Sequence, residues 1–182
     1  SNSALTSIRE SLKAAPSDSF SMENLKNIRF TGDRNLRYTA DEIDAMFDTY
    51  EIGAYTFMVL SLLYPNLKYS QKGFHQDHMH LYSSFEEDKI KKLVMADGKP
   101  LDDSTKEEWK QRRNTLANLQ LLEGRENESE NATALVDWLQ VKENKENVKY
   151  LPVGISYKLS NFNEFMKQRQ KLMSDVLKEI LL

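Results

Sequence analysis

The chain has 182 residues, 40% of them hydrophobic and 29% charged, with a formal net charge of −3. That is the composition of one soluble domain, or of a small domain with a helical annex. It argues against binding nucleic acid through bulk positive charge. The absence of cysteine excludes disulfides and thiolate zinc sites and suits a reducing, cytoplasmic setting.

The sequence opens Ser-Asn-Ser without an initiator Met, which reads as the start of an excised C-terminal piece of something longer. Leu5, Ile8 and Leu12 fall at i, i+3 and i+7 and predict a short amphipathic helix ending before Pro16. Met22, Leu25 and Ile28 could line a second, and Thr31-Gly32-Asp33 turns the chain. Thr39 and Glu42 are spaced as a capping box, flanked by Tyr38 and Ile43 as a hydrophobic staple. Ile43, Met46, Phe47 and Tyr50 continue the stripe.

After Gly53 comes a run to Tyr64 that is apolar nearly all round and is stopped by Pro65. It is too short and interrupted to span a bilayer, so it predicts a buried central helix with Phe57, Met58 and Leu62 in the core. Further on, Ser84 with Glu87 and Ser104 with Glu107 are spaced as two more capping boxes, for helices through Leu93 and about Arg113. Residues 116–122 read as a strand ended by Gly124. Ala132, Leu135, Val136 and Leu139 then give a helical stripe. Residues 142–149 are charged and solvated, and 151–160 are irregular. From Asn161, with Glu164 as its cap partner, Phe162, Phe165, Met166, Leu172, Met173, Val176 and Ile180 mark a long closing helix.

The chemistry concentrates in residues 71–82. All three histidines, His75, His78 and His80, lie there, and Asp77 stands directly before His78. A carboxylate suits a hard cation, and imidazole can trade a proton near neutral pH. Downstream, Asn118 opens Asn-Leu-Gln-Leu-Leu, and Asn127 follows in a second polar stretch. Taken singly, each residue has a plain structural role: Asn127 as a helix cap, Asn118 as a turn residue, Asp77 as a surface acid.

The ordered set Asp77, His78, Asn118 and Asn127 resembles the HNH (His-Me finger) endonucleases. The phrases Phe-His-Gln-Asp-His-Met-His and Leu-Ala-Asn-Leu-Gln-Leu-Leu-Glu look most like the C-terminal nuclease part of GmrSD-type, modification-dependent restriction proteins, which serve in phage defence. The likeness runs from about Leu36 to the C-terminus. It implies an α+β, predominantly helical domain with a small ββα-metal unit embedded in it. Residues 1–70 are then a helical segment packing on the unit, 71–141 the unit with a helical insertion, and 142–182 a linker and final helix of the same domain.

By the same resemblance, Asp77 and Asn127 hold one divalent ion, Mg²⁺ or Mn²⁺, and His78 is the general base in phosphodiester hydrolysis. Asn118 braces the loop behind it. His80 and His75 are additional candidates, with ligand and bystander weighted equally for His80. Regular strand alternation sends His78 to the face opposite Asp77, so reaching a shared site requires a twist at the strand end. Arg112, Arg113 and Arg125 are the candidate contacts to DNA phosphates. The implied partners are DNA, including modified phage DNA, and an N-terminal nucleotide-hydrolysing domain; no membrane is implied. The chain departs from the family at Leu81, where Pro is common, and at Glu130, where Lys or Arg is common. With Glu126 and Glu128 also acidic, an alternative reading is a non-catalytic DNA-binding or assembly module that keeps the HNH shape.

Overall fold

The computed structural model describes every residue except Ser1, 15–23, Leu25, Thr31, 33–34, 71–72, Ala96 and 124–132, along with the side chains of Asn2, Glu143, Glu146 and Asn147. The chain is mixed α+β and mainly helical, with one two-stranded antiparallel sheet among the described residues. It divides into two compact units, residues 1–40 with 181–182, and residues 41–180. Among the described residues no helix is long and apolar enough to cross a membrane.

In the first unit, α1 (Asn2–Ala14) forms where the Leu5, Ile8, Leu12 periodicity expects it. Ile28 is buried but not helical; Met22 and Leu25, meant to share a helix with it, lie outside the described residues, as do Thr31 and Asp33. Arg37 ties this unit's polar end together, donating to the Lys26 carbonyl and to Asn27 Oδ1.

The second unit begins with α2 (Ala40–Thr49), most of whose residues belong to it. The helix starts directly after Thr39 with Asp41 and Glu42 in its first turn, where acids meet the positive end of the helix dipole. Its stripe buries Ile43, Met46 and Phe47. Gly53, at φ 157° and ψ −168°, then reverses the chain; that backbone region is essentially reserved for glycine.

Helix α3 (Ala54–Leu63) follows and stops short of Pro65. The helix is where the apolar run places it, but its core face is not. Thr56, Val59, Leu60 and Leu63 are buried, whereas Met58 is 63% and Leu62 39% exposed, and Phe57 is half-buried. An apolar side chain at every position leaves no amphipathic signal to say which face turns inward. The buried face is fixed by what packs against it, including strand β2.

Strand β1 (Phe74–His78) pairs with β2 (Leu119–Glu123) in the register Phe74 with Glu123, Asp77 with Gln120, and His78 with Leu119. Gln76 anchors β1 to the start of α3: its amide both donates to the Gly53 carbonyl and accepts from the Gly53 N–H. Between the strands the chain is locally helical but shorter than the capping boxes suggest. Residues Tyr82–Phe85 form a 3-10 turn containing Ser84, and α4 spans only Glu87–Ile90. Helix α5 (Asp103–Arg112) is capped by Asp102, whose carboxylate accepts from the Thr105 N–H. The cap therefore stands two residues before Ser104. Asp is at least as good a cap as Ser, and Asp102 comes first in the chain.

The predicted strand over 116–122 is divided: Leu116–Asn118 is a 3-10 turn and only 119–123 extends. Beyond 132, α6 (Leu135–Trp138) and α7 (Lys142–Asn147) are short, the latter falling where a solvated charged stretch was expected. Helix α8 (Phe162–Leu181) closes the unit. It buries Phe162, Phe165, Met166, Arg169, Met173 and Leu177, with Leu172 exposed instead. Asn161 does not cap it through its side chain but donates from Nδ2 to the Ser156 carbonyl. Phe162 is the aromatic centre of the core, with the rings of Phe85, Trp109 and His80 within 4.9 to 5.5 Å.

Candidate functional site

Asp77 and His78 end strand β1, and both line a small pocket of about 20 Å³ together with Gln120, Thr133, Leu135 and Trp138. Neighbouring strand residues direct their side chains to opposite faces: both border this hollow, but the His78 ring meets Asn114 and Tyr82, which do not border it. The pocket has room for one water molecule or ion. Gln120, directly opposite Asp77 in the ladder, offers Nε2 to Asp77 Oδ2 at 3.4 Å, a long contact.

His78 is fixed from one side. Its Nε2 lies 3.0 Å from Asn114 Oδ1. An amide oxygen only accepts, so in this contact Nε2 is the donor. Asn114 is itself held, its carbonyl accepting from the Ile52 N–H in the short pairing of residues 50–52 with 114–116. The Tyr82 ring stands edge-on to His78 at 5.8 Å, and the Arg113 guanidinium lies 3.7 Å over that same ring while donating to the Tyr82 hydroxyl.

Asn118 is fully buried. Its Oδ1 accepts from the His80 N–H, and its Nδ2 donates to the carbonyls of His80 and Arg113. Its own carbonyl accepts from the Met79 N–H at 2.7 Å. The residue expected to brace the loop behind His78 therefore holds the backbone on both sides of that histidine's environment, at 79–80 and at 113.

The other residues singled out in the sequence go elsewhere. His80 is 4% exposed and packs edge-on against Phe162 and Phe165. Burial, with the nearby Arg169 charge, pushes its pKa down to about 3, so it is a neutral core residue and not part of the pocket wall. His75 is exposed on β1. Arg112 pairs with Glu108 and faces a separate open hollow shared with Asp44, Lys167 and Lys178. Of the three arginines offered as phosphate contacts, only Arg113 is seen beside His78; Arg125 and the metal candidate Asn127 lie outside the described residues.

Among the described residues no three His, Cys, Asp or Glu side chains are grouped to hold a metal ion. Asp77, on the pocket wall, carries one carboxylate, and a cation such as Mg²⁺ needs few protein ligands because it keeps several waters. The residues present fit such an ion on that basis.

Sequence reasoning missed three contributors. They are Asn114, in Arg-Arg-Asn, Gln120, in the 116–122 strand, and Arg169, in the closing helix. Only Arg169 left a readable signal, since it occupies a stripe position between Met166 and Met173. No protein-family model matches the chain, and no curated protein matches it significantly.

Proposed function

We propose that residues 71–141 form an HNH-type unit that hydrolyses DNA phosphodiester bonds with the help of one divalent ion. The observation that carries this reading is that Asp77 and His78 both border one pocket, with His78 held by Asn114 and the loop behind it clamped by Asn118. With Nε2 bonded to Asn114, His78 Nδ1 is the nitrogen that takes the proton from an attacking water; a positioned base of this kind contributes about 10²–10⁴-fold. Asp77 offers carboxylate oxygen to the ion, and Asn127 remains its second proposed ligand. When bound, Mg²⁺ or Mn²⁺ supplies positive charge against the scissile phosphate and the departing 3′ oxygen. Arg113, which stacks on the same Tyr82 ring that His78 meets, is the candidate to hold a phosphate oxygen. Restriction of modified phage DNA, and control by a nucleotide-hydrolysing domain on the same protein, belong to this proposal.

Plasmid nicking with Mg²⁺ or Mn²⁺ against an EDTA control tests it. The parent should nick in a metal-dependent way, and Asp77→Ala should lose both nicking and calorimetric Mn²⁺ binding. Metal-independent behaviour, or Mn²⁺ affinity unchanged in Asp77→Ala, would overturn the assignment. DNA binding without cleavage by the parent would favour the alternative of a non-catalytic DNA-binding module, which Glu130 already recommends.

A further inference from the structure

Arg169 is a fully buried arginine in the middle of the apolar stripe of α8. Among the described residues no carboxylate pairs with it; the phenols of Tyr64 and Tyr150 lie near its charge instead. Burying a guanidinium is costly unless its hydrogen bonds are well used. Here one nitrogen, Nη1, donates to the Ala117 carbonyl at 2.8 Å and to the Leu119 carbonyl at 2.9 Å. Those two peptide groups flank Asn118, so the guanidinium grips the backbone on either side of the residue that clamps Met79, His80 and Arg113. Arg113 in turn immediately precedes Asn114, the partner of His78.

We propose that Arg169 is a positioning residue for His78, acting through Asn118: it fixes the turn at 117–119, the turn fixes both 79–80 and 113–114, and those segments fix the imbalance between the two imidazole nitrogens. This role rests on the reading of His78 as general base, because only then does the orientation of its ring matter to a rate.

The test compares the parent with Arg169→Lys and Arg169→Gln in the full chain. Lysine keeps the buried charge, but its shorter, single-headed side chain does not reproduce the reach of the guanidinium; glutamine removes the charge altogether. Nitrogen-15 NMR of the three histidine rings should show His78 protonated on Nε2 in the parent and a mixture of tautomers in both variants. Nicking kcat should fall about 10–100-fold, the usual cost of losing an outer-shell support, while KM for DNA stays within about twofold because Arg169 is too buried to touch DNA. If the folded variants keep the parent's tautomer and kcat, the inference is overturned. A parent that does not nick at all would sink the nuclease reading, and the tautomer comparison would still decide the role of Arg169.

Should neither variant fold, amide exchange in the parent carries the test. The Met79 and His80 amides should open together with the central turns of α8, and opening ahead of the β1–β2 ladder would overturn the proposal.

Discussion

Asn118→Ala isolates the clamp. The substitution deletes one acceptor and two donor contacts, leaving the His80 N–H, the His80 carbonyl and the Arg113 carbonyl without their partner. Three hydrogen bonds at about 1 kcal/mol net each predict a loss of about 3 kcal/mol, raised if the vacated space stays dry and lowered if water enters it. Asn118→Asp sharpens the argument, because it preserves shape and the acceptor to His80 N–H while turning the donor into an oxygen that faces two carbonyls. A buried carboxyl in that position must keep its proton, so its folded-state pKa rises above the unfolded value of about 3.9. The folded form then holds a proton that the unfolded form has released. The stability of Asn118→Asp should therefore fall as pH rises from about 4 through that raised pKa, and stay low above it. Urea unfolding at several pH values measures both variants. A cost below about 1 kcal/mol for Asn118→Ala, or a pH-independent Asn118→Asp, would refute the clamp.

His80 gives the opposite slope. Its folded pKa is depressed to about 3 by burial and by Arg169, so the unfolded chain binds the extra proton once pH drops below about 6.5, and stability is lost progressively from there towards pH 3 at up to about 1.4 kcal/mol per unit. His80→Phe, which suits the aromatic surroundings, should flatten that acid limb in urea titrations. On α3, Leu60→Ala should cost about 2–5 kcal/mol and Met58→Ala within about 0.5 kcal/mol; equal costs would mean the buried face has been misassigned. His78→Ala should abolish metal-dependent nicking with the fold intact, and exposed His75→Ala should not; equal loss from both would contradict the assignment of the base.

Much of the framework was legible because punctuation and periodicity are local. Gly53 and Pro65 bracket α3, and α2 begins directly after Thr39. What could not be read was which way an all-apolar helix turns, since Met58 and Leu60 are equally apolar and only the packing against them separates their fates. Likewise Asp102 outcompetes Ser104 as a cap by position alone. Asp77, His78 and Asn118 stand out in the sequence only as an ordered set resembling the HNH pattern, whereas the burial of His80 beside Phe162 and Phe165 depends on a helix more than 80 positions downstream. The partner of His78 was not readable for the same reason, because Asn114 meets it only once 114–116 pairs with 50–52.

The two tryptophans end up in places that make the molecule its own optical reporter. Trp109 is enclosed against Phe162, while Trp138 stands on the wall of the Asp77 and His78 pocket. Emission from the first follows global unfolding; emission from the second is within reach of anything that enters the pocket. A Trp109→Phe protein would carry a single fluorophore at the proposed metal centre, where a paramagnetic ion such as Mn²⁺ would quench it and a diamagnetic one such as Mg²⁺ would leave it bright. Occupancy could then be followed by light alone, apart from any cleavage.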